Sequence, residues 1–327
     1  MTLPSRRGAA GRLEPAQKVR RRVEDALVGA GVSEAVGWSF AAPDLPARLR
    51  LGGDDLRGRP VRLRNPMSEE QSTLRTTLLG SLLDGARRNR SRGMPDVRLF
   101  ETGAIYLDTP RAGEPRASQP LPEERTQLGA LLTGAMRPPS WRDPAPARAD
   151  FFAAKGVLAA VLGAIRAEWA VESASEPFLH PGRAARVLIG GEPAGWLGEL
   201  HPAVAAGWDV EQAAAFELDL AVVERHARLD PRFRDLTSFP SVRQDRAWWF
   251  PATVAAADVI AVVRDAGGAL LAGAEVFDVY ADGERTSLAI RMEFRAADRT
   301  LTDEEVAQRR AKIDAAVAEH LGGEPRG

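Results

Sequence analysis

The chain has 327 residues, 44% of them hydrophobic and 27% charged, with a formal net charge of −1; that is enough to bury a sizeable core in roughly two or three domains. It has no cysteine, which excludes a disulfide scaffold, a thiolate zinc site and a cysteine nucleophile, and its four histidines show no HxxxH or HExxH spacing for a metal. The opening MTLPSRRGAAGR has no apolar signal core, and no apolar run approaches the ~20 residues of a membrane span, so a soluble cytoplasmic protein is expected.

Pro15 stands where a helix can start, and Val19, Val23, Ala26 and Leu27 then recur on one helical stripe with Gly31 beyond its end. A strand is predicted at 34–40, followed by a loop over 41–60 rich in Pro, Gly and Asp. Ser68 and Gln71 have the spacing of a capping box, so a helix is expected to run from there toward Gly93, with Leu74, Leu78, Leu82 and Ala86 on one face. Strands follow at 97–107 and 127–135, separated by a Pro-rich surface loop at 109–124. Asp150 can cap a helix reaching Arg166, with Phe151, Leu158, Leu162 and Ile165 as its buried stripe. Residues 185–200 read as a hairpin turning around Gly190 and Gly191, and 213–223 as one more strand. Hairpins with helices between long strands indicate an α+β layer fold.

The polar segment 229–240 is the linker candidate, after which the pattern restarts. A strand at 242–250, a helix at 255–265, strands at 274–280 and 286–294, and a helix opened by Thr302 and running to His320 give β-α-β-β-α. A short last strand would complete a ferredoxin-like βαββαβ unit. Two domains are thus expected, 1–232 and 233–327. Charge divides unevenly along the chain: residues 1–100 hold 19 Lys+Arg against 11 Asp+Glu, and 237–327 hold 11 against 15.

Three pieces, in order, carry a family resemblance. The first is QKVRRRVEDALVGAGVSEAVGWSF followed by NPMSEEQSTLRTTLL and VRLFETG. The second is FLHPGRAARVLIGGEPAGWLGELHPAV with AAFELDL. The third is FPSVRQDRA, VFDVY, SLAIRMEF and RTLTDEEV. Together they resemble the β-subunit family of bacterial phenylalanyl-tRNA synthetases over nearly the whole chain. The resemblance implies a class II synthetase-like antiparallel sheet with flanking helices, acting as a non-catalytic module, and then a ferredoxin-fold anticodon-binding domain. It also implies an α-subunit partner that binds ATP and Mg2+ for the assembled ligase, tRNA(Phe) as the RNA partner, and neither DNA nor a membrane. The family's upstream oligonucleotide-binding, editing and DNA-binding-like domains have no counterpart in these residues, so a C-terminal portion of the subunit is expected. The alternative is a free-standing tRNA-binding or regulatory paralogue.

Class II chemistry needs one arginine on the motif-two strand and another in a Gly-rich third motif to hold the nucleotide phosphates. Arg98 and Glu101 resemble a remnant of the motif-two pattern; the plainer reading is an ion pair of Arg98 with Glu101 or a nearby carboxylate. Where the third motif should lie, the chain has Glu217 and Asp219. No catalytic or metal-binding residue is therefore assigned to this chain. Subunit-interface candidates are Val19, Val23, Leu27, Leu74 and Leu78. RNA-binding candidates are Arg243, Arg246, Tyr280, Arg291, Phe294 and Arg295, because single-stranded RNA is held by rings against bases and by cations against phosphates. Trp248 and Trp249 are neighbours on one strand, so one faces the core and the other is placed for exposure. The third piece also departs from the family's common RRDLA, with Arg243-Gln244-Asp245-Arg246-Ala247 in its place, and its 281–286 loop lacks the usual Gly-Lys.

Overall fold

A computed structural model describes residues 11–109, 121–231, 233 and 239–326. Most of the predicted Pro-rich loop and half of the linker candidate lie outside the described residues. The chain divides into two compact units, Met1–Pro231 and Arg232–Gly327. No helix among the described residues is long and apolar enough to cross a membrane.

In the first unit, α1 (Pro15–Gly29) begins with Pro at its first position and a reciprocal capping pair between Glu14 and Gln17. β1 (Ser33–Glu34) and β2 (Phe40–Ala41) are two residues each, so the strand predicted at 34–40 is broken in its middle. The short α2 (Leu45–Arg48) lies within the predicted loop. β3 (Thr73–Leu74) pairs with β2, and α3 (Leu79–Arg90) starts only at Leu79. The helix expected from Ser68 is thereby corrected. Ser68 makes no side-chain cap, while Thr77 Oγ1 accepts from Leu79 N at 3.1 Å and sets the helix start there. The β-branched run Thr76-Thr77 suits the extended entry better than a helical turn.

β4 (Arg98–Leu107) and β5 (Glu123–Thr133) form a long antiparallel pair. α4 (Phe151–Ala164) is capped by Asp150, whose carboxylate accepts from Ala153 N at 2.7 Å. β6 (Trp169–Ser173), β7 (Leu179–Ile189) and β8 (Glu192–Leu200) follow. The β7–β8 hairpin turns on Gly190 and Gly191 at φ +59° and +83°, a left-handed pair that glycine adopts without steric cost. After α5 (Pro202–Gly207) comes β9 (Ala213–Asp219). The strand predicted over 213–223 then becomes α6 (Leu220–His226), because Asp219 caps a helix by accepting from Ala221 N.

The seven strands lie in the order β1-β4-β5-β9-β8-β7-β6 and are antiparallel except for β1 beside β4. Alternation along the strands gives two apolar faces. On one, Phe100, Leu128, Phe216 and Leu218 pack with α1, α4 and α6 through Val23, Leu27, Leu158 and Val223. On the other, Leu131, Ala215 and Trp196 pack with α3 and α5 through Leu78, Leu82 and Val204.

In the second unit, β10 (Val242–Pro251), α7 (Ala256–Gly267), β11 (Leu271–Ala281), β12 (Arg285–Phe294), α8 (Asp303–Leu321) and β13 (Glu324–Pro325) form a sheet in the order β11-β12-β10-β13. The reciprocal cap between Thr302 and Glu305 opens α8, as its sequence implies. One sheet face is the core: Trp248, Phe250, Ile290, Met292 and Phe294 pack on Val259, Val263, Ile313 and Val317 of the two helices. The α+β expectation is the architecture found, an antiparallel sheet with flanking helices followed by a ferredoxin-like βαββαβ unit.

Candidate functional site

Charged side chains in the first unit meet beneath the α3 face of the sheet. Arg75 and Glu101 are 4% and 2% exposed and pair at 2.5 Å. Glu101 Oε1 also accepts from Gly37 N at 3.1 Å, and its Oε2 accepts from Ser81 Oγ at 2.9 Å. Arg75 Nε donates to the Ala104 carbonyl at 2.8 Å. Gly103 makes room for this guanidinium, since a Cβ there would lie 2.2 Å from Arg75 Nη2. The pair floors a groove of about 580 Å³ whose walls include Trp38, Arg48, Asp44, Asp84 and Arg88. Both charge signs line it, and its floor cation is already bound to a carboxylate.

Arg98 does not pair with Glu101. Residues three apart on a strand point to opposite faces, and Arg98 instead donates to the carbonyls of Gly31, Ala135 and Met136 at 3.2, 3.1 and 2.9 Å. Strand parity and these carbonyl bonds correct the reading of Arg98 as the partner of Glu101.

Glu217 is also buried, accepting from Thr77 Oγ1 at 2.6 Å and Leu78 N at 3.1 Å. Burial pushes its pKa up to about 7, against those two hydrogen bonds and the charges of Arg57 and Arg75. A carboxyl raised in the folded state takes up its proton before the unfolded chain does. Its contribution is therefore most favourable below pH ~4.5, falls as pH rises, and levels off above about 7. Glu217→Gln is expected to flatten that slope and to raise stability at pH 8 by roughly 1–3 kcal/mol. Urea unfolding at pH 5 and pH 8 checks this; an equal effect at both values would count against it.

The interface candidates lie inside the unit. Val19, Val23, Leu27 and Leu78 are at most 4% exposed and belong to its two cores. Their contact surface is already used within the chain, which corrects their assignment to a subunit interface. Leu74 is half-buried in β3, outside the helix. The exposed apolar side chains bordering the groove are Val36, at 89%, and Trp38, at 72%.

The second unit keeps one sheet face free of helices. Tyr280, Ser287 and Trp249 stand in one row across β11, β12 and β10. Ser287 is small enough for the two rings to meet above it, edge to face with centroids 5.8 Å apart. Tyr280 remains 51% exposed. Arg285 and Arg326 lie 5.2 and 5.3 Å from the Trp249 ring centroid, and Arg326 lies 5.3 Å from that of Tyr280. Farther along the face, Arg291 is bound through two hydrogen bonds to Asp245 and lies 4.6 Å from the Phe277 ring centroid. Its guanidinium holds the Asp245 carboxyl below the ordinary value.

Of the predicted RNA-binding residues, Tyr280, Arg243, Arg291 and Arg295 belong to this side of the sheet, with Arg295 bound to Glu293 at 2.8 Å. Two are corrected. Phe294 is 0% exposed in the core and cannot stack on a base. Arg246 points to the helix side, where it grips Asp314 through Nε and Nη2 while Trp248 Nε1 donates to the same carboxylate. Sequence reasoning missed Trp249 as a site residue, along with Arg285 and Arg326; the adjacent tryptophans were the available signal. Among the described residues there is no group of three or more His, Asp or Glu side chains placed to hold a metal.

Residues 1–220 match the family model described as the phenylalanyl tRNA synthetase beta chain CLM domain, and residues 237–326 match that of the ferredoxin-fold anticodon binding domain. The phenylalanine–tRNA ligase beta subunit of Moorella thermoacetica is 38% identical over 100% of this chain and 40% of its own length. That of Geobacillus kaustophilus is 36% identical, with the same coverage of each. The chain thus spans about two fifths of the curated relatives it matches. Among solved structures, the pyrrolysyl-tRNA synthetase from Desulfitobacterium hafniense aligns with 68% of this chain and 74% of its own, at 15% identity and a TM-score of 0.47.

Proposed function

The chain belongs to the phenylalanyl-tRNA synthetase beta chain family, and we propose that it works as the C-terminal part of a phenylalanine–tRNA ligase β subunit in the cytoplasm. Its second unit binds tRNA(Phe) on the open sheet face. The observation that carries this reading is the Tyr280–Trp249 ring pair, with Tyr280 exposed and Trp249 half-buried, flanked by arginines, which offers stacking for bases beside cations for phosphates.

The first unit supports a catalytic α subunit and does no chemistry of its own. Its internal arginines favour that division of labour, since Arg75 is tied to Glu101 and Arg98 to main-chain carbonyls. A nucleotide phosphate would meet Glu217 where class II chemistry needs positive charge. ATP and Mg2+ are held by the α subunit. Val36 and Trp38, apolar and exposed beside the groove, are the side chains an α subunit would cover.

Co-expression with a bacterial phenylalanyl-tRNA synthetase α subunit tests the reading. The two chains are expected to co-purify, and Trp38→Asp is expected to weaken the complex by about tenfold or more. A well-folded chain that captures no α subunit and does not shift tRNA(Phe) in a gel would overturn it. Binding of tRNA with no α-subunit capture would favour the free-standing tRNA-binding paralogue.

A further inference from the structure

Most arginines on the open face of the second unit are neutralised where they stand. Arg285 is bound to Glu324 at 2.7 Å, Arg291 to Asp245 at 2.7 Å and Arg295 to Glu293 at 2.8 Å. Arg326, the residue after β13, is exposed and held differently. Its main-chain N donates to the Ala247 carbonyl at 2.8 Å, which pins it to the sheet. Its Nη1 donates to Ser287 Oγ at 3.3 Å, between the two rings of the aromatic pair. A guanidinium carries five N–H donors, so this arrangement leaves four for a ligand while fixing where the group sits.

An arginine bound to a carboxylate must break that pair before it can take a phosphate. Among the described residues Arg326 has no carboxylate to leave. The hydroxyl bond and the ring contacts also order its side chain in advance, which lowers the entropy lost on binding. We propose that Arg326 is the phosphate contact of this face: it holds a backbone phosphate of the single-stranded nucleotide whose base stacks on Tyr280 and Trp249. The proposal rests on the reading of this face as the tRNA-binding surface.

The test uses the full chain and a fluorescein-labelled tRNA(Phe) anticodon stem-loop, titrated at several salt concentrations. A phosphate contact releases counterions, so its loss lowers the slope of log K against log salt by about 0.7 for a single strand. Arg326→Gln is expected to weaken binding by about tenfold and to reduce the slope by that amount. Arg326→Lys is expected to keep the slope, because an ammonium also neutralises a phosphate. The Trp249→Ala, Tyr280→Ala double variant serves as the reference for the face itself. If it loses binding while Arg326→Gln leaves the slope unchanged, the Arg326 assignment fails and the tRNA-binding face stands. Equal losses in the Gln and Lys variants with an unchanged slope would mark a structural role and also overturn the assignment. If the double variant binds like the unaltered chain, the reading of the face fails and the assignment with it.

Discussion

Replacing Glu101 by alanine is expected to cost the N-terminal unit about 3–5 kcal/mol of stability. The carboxylate answers three donors, the Arg75 guanidinium, the Gly37 N–H and the Ser81 hydroxyl. Alanine would leave a buried cation with only the Ala104 carbonyl and an unpaired N–H beside it. A domain's net stability is roughly 5–15 kcal/mol, so this loss takes a large share of it. The surface pair Arg20–Glu24, with side chains 46% and 23% exposed, is the contrast, worth at most about 0.5 kcal/mol. Adding Arg75→Met to Glu101→Ala removes the stranded charge and should recover part of the loss. Urea unfolding of the three chains measures the effect. A Glu101→Ala chain within about 1 kcal/mol of the unaltered protein would show that the buried pair is not what closes the groove floor.

A chain carrying Trp249→Ala and Tyr280→Ala together is expected to bind a tRNA(Phe) anticodon stem-loop on the order of 100-fold more weakly, a loss of about 3 kcal/mol. Each ring offers one stacking surface, and the two touch, so their losses should fall short of additive. Neither side chain belongs to the core formed by Trp248, Phe250, Ile290 and Phe294, so the fold should survive both changes. Fluorescence titration measures the binding, and far-ultraviolet circular dichroism confirms that the sheet is intact. Unchanged affinity in the double variant would remove the open face as the RNA-binding surface.

Much of the fold was legible because its signals are local. Pro15 with the Val19, Val23 and Leu27 stripe marks α1, Asp150 marks the start of α4, Gly190-Gly191 marks a hairpin, and Thr302 with Glu305 marks α8. One misreading arose where a side chain's long-range partner overrode the local pattern, and another where a local cap was overlooked. Ser68 and Gln71 looked like the start of a long helix, yet after a single 3-10 turn at Glu69–Gln71 the chain becomes extended at Thr73–Leu74 to pair with Phe40 and to carry Arg75 to Glu101. The apolar run after Asp219 looked like more strand until the aspartate turned it into a helix.

The candidate site was only partly legible, for a related reason. Strand parity in the sequence already requires Trp248 and Trp249 to face opposite ways. Only the packing of α7 and α8 decides that Trp248 is covered and Trp249 left to meet Tyr280. The sequence likewise supplies many arginines of similar appearance. Which of them remain available to a ligand depends on carboxylates far away in the chain, Asp314 for Arg246 and Asp245 for Arg291. Capping, turn chemistry and strand alternation act over a few residues, so one sequence is enough to determine them. The charge pairs of Arg291 with Asp245 and Arg246 with Asp314 join residues 46 and 68 positions apart, and only the fold brings those partners within a hydrogen bond.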